Sequence, residues 1–242
     1  MSLILYQFPI SHFCEKVRWA LDYKGLTYQT KNLLPGLHVK TTKAMGPGSS
    51  VPVLQHDGKS IQGSAQIISY LDEQFPDKKL TPINAQEKQA ATEWERFLDQ
   101  ELGVHVRRFV YQTILQRRGL TIGFLANNGP IWAKPFLWLV FPRLKARMRK
   151  YMDINAKTAE VSKQHIHKAL KRINETLVDK KFLVGDRFSR ADLTACALLA
   201  PLFMPPQYGL KWPQKLPDPL QSDIQAMTPQ MQWAVEIYKK YR

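Results

Sequence analysis

Cysteine is almost absent, with Cys14 and Cys196 the only two in 242 residues. Two thiols in a chain this long give no disulfide framework and fit a reducing compartment, so a cytoplasmic setting is expected. Long apolar runs are missing too. Nothing approaches the ~18–20 uninterrupted apolar residues of a membrane-spanning helix, and Met1-Ser2-Leu3 lacks the basic region and apolar core of a secretion signal. Acidic residues are in short supply, 20 Asp and Glu against 35 Lys and Arg, for a formal net charge of +15. The imbalance is uneven: residues 1–83 carry nine basic and six acidic side chains, the remainder 26 and 14. The densest basic run, Arg143, Lys145, Arg147, Arg149 and Lys150, follows the apolar segment Phe136 to Phe141. Such a run is either a solvated helix face or a contact for an anionic partner, a membrane surface or an acidic protein. No nucleic-acid module accompanies it, so nucleic acid is not expected as a partner. The 44% hydrophobic content suffices for a substantial core, in one large domain or two modest ones.

What is present is organised around Leu3 to Leu21. Leu3 to Phe8 is an apolar run of strand length, stopped by Pro9, which cannot continue a central ladder. Ser11 then has the character of a helix N-cap, Glu15 adds a carboxylate to the first turn, and Phe13, Val17, Ala20 and Leu21 recur at helical spacing. A strand aimed at a helix N-terminus makes a place for an anion, because the first free N–H groups converge there and the helix dipole favours negative charge. Ser11 sits at that spot, with Cys14 one turn further in.

Further along, Lys24-Gly25 ends the helix and residues 28–33 read as a second strand. A basic, glycine-punctuated connector from Pro35 to Ser50 holds His38, Lys40 and Lys43 and has room for one short helix. Val51 to Gln55 and Ser60 to Gln62 form a hairpin across Asp57-Gly58. Gly63-Ser64 opens another helix, with Ile67, Ile68 and Leu71 on one face. The order is βαβ, a loop, ββ and α. The remainder reads as helical: a long helix from Ala85 to about Arg118, a loop over 119–135, helices ending near Met152 and Leu177, and an apolar helix opened by a capping box at Ser189 and Asp192. Pro205 to Pro219 reads as a connector, and Thr228-Pro229 as the start of a last helix.

Four groups of residues, in order along the chain, resemble the glutathione S-transferase superfamily: Ser11 to Arg18 with Lys24-Gly25-Leu26, Gly46-Pro47 before Ser50 to Leu54, Gly63-Ser64 with Ile67-Ile68 and Tyr70-Leu71, and Gly185 with Phe188 to Asp192. The resemblance implies an α/β thioredoxin-like N-terminal domain over residues 1–80, with a mixed four-stranded sheet, and an all-α domain over residues 85–242. It implies a detoxifying homodimer that takes glutathione as co-substrate, needs no metal, and attacks a small hydrophobic electrophile. By the same resemblance Pro52 follows a cis bond, the Val51 backbone pairs with the cysteinyl part of glutathione, and Ser64 receives the γ-glutamyl carboxylate beside Gln62 and Gly63; His38, Lys40 or Lys43 in the connector is the candidate to replace side-chain contacts the superfamily pattern would otherwise supply, by meeting the glycine carboxylate.

Ser11 falls where serine-type members of the superfamily keep the residue that hydrogen-bonds the glutathione thiolate. Such a bond, with the helix dipole, lowers the thiol pKa. Capping the helix is the other use of the same side chain. Cys14 is left as a single thiol, since Ser-x-x-Cys lacks the attacking sulfur of a Cys-x-x-Cys redox pair, and His12 reads as a partly exposed turn residue. The chain departs from the superfamily pattern at Gly63, where many members have Glu or Gln, and at Ser50, where Lys or Gln is common. Residues 137–149 are similar to a segment of the type 2 prostaglandin E synthase branch, and the start of the Gly63-Ser64 helix to ganglioside-induced differentiation proteins. Both likenesses imply peripheral lipid contact through Trp132, Trp138 and the basic run. A non-catalytic protein of the same fold, similar to the stringent starvation proteins, is the competing reading.

Overall fold

β1 (Leu3–Gln7) buries Leu3 and Leu5 and sits inside a four-stranded sheet of order β2-β1-β3-β4. The computed structural model describes residues 2–242. β2 (Gln29–Asn32) runs parallel to β1, with Leu5 opposite Thr30, and needs a crossover, supplied by α1 (His12–Tyr23). β3 (Val53–His56) and β4 (Lys59–Gln62) are antiparallel, and the register stacks Leu5, Leu54 and Ile61 across three strands. The two-residue turn between them takes positive φ at Asp57 and Gly58, as a tight hairpin demands. α2 (His38–Met45) occupies the connector, and α3 (Ser64–Gln74) returns across the sheet with Ile67, Ile68 and Leu71 fully buried.

From residue 85 onward the chain is helical: α4 (Ala85–Leu98), α5 (Val104–Ile114), α6 (Arg118–Leu125), α7 (Ala133–Tyr151), α8 (Ala156–Thr176), α9 (Arg190–Phe203), α10 (Leu220–Met227) and α11 (Gln232–Tyr241). Three differences from the sequence reading have physical causes. The expected single helix from Ala85 is broken by a π-helical turn at Asp99–Gly103 and ends at Ile114. Gly103 is where the rod passes closest to its neighbours, since a Cβ there would lie 2.7 Å from Phe13 and 3.1 Å from Leu198. Second, part of the expected loop over 119–135 is α6, which exists because Ile122, Phe124 and Leu125 gain burial that outweighs the cost of Gly119 and Gly123. Third, α10 precedes the expected last helix, burying Leu220, Ile224 and Met227.

α9 is buried along almost its whole length and stands at the centre of the helical layer. Its capping box forms as the sequence implies. Ser189 N and Oγ both donate to Asp192 Oδ2 at 2.9 Å, while Leu183 N donates to Oδ1 at 2.7 Å. Burial nevertheless pushes the Asp192 carboxyl up to about 6.

Sheet and helices are joined by buried ionic contacts. Lys16 on α1 has no exposed surface and reaches Glu95 at 2.7 Å and Asp99 at 2.9 Å. Arg190 pairs with Glu95 at 2.5 Å and donates to Ala65 O and the Ser69 hydroxyl on α3. Buried charges persist only when paired this way. On the other side of α1, Glu15 takes Arg18, Arg242 and the Tyr238 hydroxyl, and Trp19 Nε1 donates to Tyr241 O at 2.8 Å. The first helix is thereby fixed on both flanks before any ligand is considered. No helix among the described residues is long and apolar enough to cross a membrane.

Candidate functional site

The turn between β1 and α1 is held from behind. Ser11 N donates to Phe8 O at 2.9 Å, Arg18 reaches Pro9 O at 3.3 Å, and the buried Tyr208 hydroxyl donates to Ile10 O at 2.7 Å. Arg18 is itself oriented by Glu15 and by Gln7 Oε1. Ser11 caps α1, its Oγ accepting from Cys14 N at 3.4 Å, a long contact that leaves the hydroxyl proton free to be donated elsewhere. Cys14 N has a second, shorter partner in Ser11 O at 3.0 Å.

Cys14 is fully buried and burial raises its thiol pKa, so it is a packed core thiol and not a reactive one. His12, expected at a partly exposed turn, is instead buried. Its Nε2 lies 3.0 Å from Gly103 O, a carbonyl in the π turn. Burial first, and then Arg107, lower the His12 pKa to about 3, which keeps the ring neutral and makes Nε2 the donor.

Two adjoining cavities open over this turn. The smaller, about 220 Å³, shows Ser11, His38, Val51 and an apolar wall of Ile10, Phe13, Val106 and Val110. The larger, about 980 Å³, runs from Val51 and Pro52 to Gly63 and Ser64. Phe13, Ser50, Val51 and Arg107 belong to both, so the cavities meet at Val51. The Val51–Pro52 bond is cis. Gly63, at φ 99°, is the cap residue of α3, with no side chain to bond the helix N–H groups, and Ser64 is the buried first residue of the helix. The first turn of α3 therefore faces the cleft with backbone donors unclaimed by a cap.

The candidate residues divide accordingly. Ser11, Val51 and His38 share the smaller cavity, and Val51, Pro52, Gly63 and Ser64 share the larger. Gln62 lines neither. Its amide binds Gly48 N and Gly48 O and donates to Ser50 O at 2.7 Å, so it braces the loop that carries Ser50 and Val51. His38 accepts from Gly36 N at 3.1 Å and packs edge-on to Phe8; burial lowers its pKa. Lys40 and Lys43 are exposed and line neither cavity. Arg107 and Tyr208 escape sequence reading because they reach the turn from α5 and from the segment after α9, while Arg18 lies within the Ser11 to Arg18 run and only its contact with Pro9 O depends on the fold. Apart from the cavities, Glu101, His105 and His165 bring ligand atoms within 4.8 Å. The two imidazoles stack at 3.9 Å with 6° between planes, so their in-plane lone pairs run in parallel sheets and do not converge on one ion.

A sequence profile of the glutathione S-transferase N-terminal domain matches residues 5–79, and one of the C-terminal domain matches residues 136–218. The chain belongs to the glutathione S-transferase superfamily. A probable glutathione S-transferase of Nicotiana tabacum is 26% identical over 192 residues, 78% of this chain and 66% of the tobacco protein. The chain thus spans just under two thirds of that relative. Glutathione S-transferase 1 of Dianthus caryophyllus is 38% identical over 87 residues, 35% of this chain and 39% of its own length. Among solved structures, glutathione transferase F7 of Populus trichocarpa superposes with a TM-score of 0.68 at 19% identity, covering 98% of this chain and 94% of the poplar one. A transferase from Methylobacillus flagellatus, solved with glutathione bound, gives 0.59 at 21% identity over 97% and 98% of the two chains. At these identities the structural likeness is one of fold. The transferase fold brings the β1–α1 turn, the cis-proline loop and the start of α3 to one edge of the sheet in this chain.

Proposed function

We propose that this chain is a glutathione transferase that activates the thiol of glutathione with Ser11 and delivers it to a hydrophobic electrophile. What carries the reading is the Ser11 hydroxyl at the N-terminus of α1, opening into a cavity that has the Val51 backbone on one side and an apolar wall on the other. The γ-glutamyl carboxylate binds at the first turn of α3, over Gly63 and Ser64; the cysteinyl backbone pairs with Val51 beside Pro52; and His38, neutral at physiological pH, bounds the glycine end. Gln62 acts by holding the loop. The thiol proton passes to solvent, Ser11 donates to the sulfur, and the sulfur electron pair forms the bond to carbon, while the leaving group or the displaced π electrons carry away the charge. Residues 1–80 serve as the glutathione-binding domain and residues 85–242 as the helical domain, in a cytoplasmic homodimer with a detoxifying role.

Calorimetric titration of glutathione into the purified, reduced protein tests the reading, with S-methylglutathione as a ligand that has no thiol to ionise. Binding of both, with proton release only from glutathione, is the expected result. No heat at millimolar glutathione would overturn it.

A second reading, a non-catalytic binding protein acting through its basic helices, draws on α7. The exposed side chains Ile131, Trp132, Trp138 and Leu139 precede the basic run Arg143 to Lys150. An apolar stretch followed by cations suits an anionic lipid surface, and in that case the protein should co-sediment with anionic vesicles at low salt and not at high salt.

A further inference from the structure

Arg107 is the one guanidinium lining both cavities, and it makes no hydrogen bond or ion pair with the described residues. Its Nε is shut off from solvent without an acceptor. Buried polar groups are nearly always partnered, so a half-buried cation left alone beside a cavity needs an explanation. Of the acidic side chains bordering the larger cleft, Glu95 is held by Lys16 and Arg190, Asp99 by Lys16, and Glu73, exposed near the end of α3, makes no ion pair with Arg107. The remaining neighbours are poor acceptors: His12 is neutral and turned to Gly103 O, Arg108 is a like charge, and the Tyr111 phenol, which burial raises to about 12, stays protonated. Burial first, and then the like charge of Arg108, lower the Arg107 pKa.

We infer that Arg107 selects for electrophiles that carry an acidic group: the second-substrate cavity takes an amphipathic anion, its apolar body against Phe13, Val106 and Val110 and its carboxylate or sulfonate on the Arg107 guanidinium. The inference rests on the transferase reading for the word substrate, but the selectivity itself is a property of the cavity. It explains why a pocket with a mainly apolar wall keeps a cation within it. A guanidinium offers a planar fork of donors that matches a carboxylate, which a point charge does not. An ionised hydrogen-bond pair in such surroundings separates an acid from its uncharged isostere by about tenfold to a hundredfold in affinity.

The experiment uses ethacrynic acid and its primary amide, two ligands with the same apolar body that differ in charge. Both are titrated by calorimetry into the full-length protein without glutathione, as wild type, Arg107→Gln and Arg107→Lys. Wild type should prefer the acid by at least about tenfold, Arg107→Gln should bind both alike, and Arg107→Lys should keep part of the preference. Thermal melts of the three proteins show that each is folded. An equal acid-to-amide ratio in wild type and Arg107→Gln would overturn the inference, and so would no preference in wild type. Equal loss of both ligands in Arg107→Gln would also overturn it, since Arg107 would then shape the cavity without reading charge. Glutathione titrations of the same samples stand apart: if wild type discriminates acid from amide but does not bind glutathione, the transferase reading fails and the anion selectivity stands.

Discussion

Replacing Ser11 with Ala separates two uses of one hydroxyl, and their magnitudes differ enough to be told apart. As a cap, the side chain accepts a single contact of 3.4 Å from Cys14 N, which also has Ser11 O at 3.0 Å. Losing so long a bond from a donor that keeps another acceptor costs about 0.5 kcal/mol, the low end for an N-cap. For a chain of this size that lowers the melting temperature by roughly 1–2 °C. As a donor to a thiolate, the same hydroxyl makes a hydrogen bond to an ionised group, worth about 1.5–3 kcal/mol. At about 1.4 kcal/mol per pKa unit, its loss raises the pKa of bound glutathione by roughly 1–2 units. Ultraviolet thiolate absorbance of the glutathione complex, followed against pH in wild type and Ser11→Ala, reads that shift directly. An unchanged midpoint would refute the catalytic assignment, and a melting temperature that falls by about 6 °C or more would refute the small cost assigned to the cap.

Lys16→Met removes the cation between Glu95 and Asp99 at a site with no exposed surface. Breaking a buried pair costs about 3–5 kcal/mol. The low end applies, because Glu95 keeps Arg190 at 2.5 Å and Asp99 is 22% exposed; chemical denaturation should show a loss near 3 kcal/mol, and a loss under about 1 kcal/mol would mean the network contributes little. Asp192 carries a pH dependence of definite sign. Its carboxyl titrates near 6 in the folded protein against 3.8 for the ordinary value, so the native state binds more protons across that window and stability falls as pH rises through it. The effect on stability across that window is roughly 3 kcal/mol. Asp192→Asn cannot titrate and keeps only one of the two acceptor oxygens that serve Ser189 and Leu183, so its stability deficit relative to wild type should be larger at about pH 4 than at about pH 7; equal deficits would count against the raised pKa.

Features written in consecutive residues were legible in the sequence. The cap at Ser11, the Asp57-Gly58 hairpin, the Gly63-Ser64 helix start and the Ser189–Asp192 box each depend on local chemistry, and the resemblance they support led to the fold. What was not legible depends on packing. The apolar stripe through Leu98, Leu102, Val106 and Phe109 continues smoothly across the π turn, so nothing in its spacing announces Asp99–Gly103. α6 contains two glycines and forms because the core behind it is apolar, a tertiary override of weak propensity. Arg107 reads as a surface charge on a helix; only the approach of α5 to the Ser11 turn, 96 residues away in the chain, makes it a lining residue.

The π turn also sets the rotational phase of everything that follows it on the same rod. One residue more or less in an α-helix turns the rest by about 100°, and a π turn is a helix carrying one residue beyond the α-helical count. Arg107 and Tyr111 lie one and two turns past Gly103 and owe their direction to that extra residue. Deleting a single residue within Asp99–Gly103 would leave a regular helix of nearly the same length, yet swing both side chains away from the Ser11 cavity. The length of this short segment is thus as much a condition as the identity of residue 107 for a cation to stand at the Ser11 cavity.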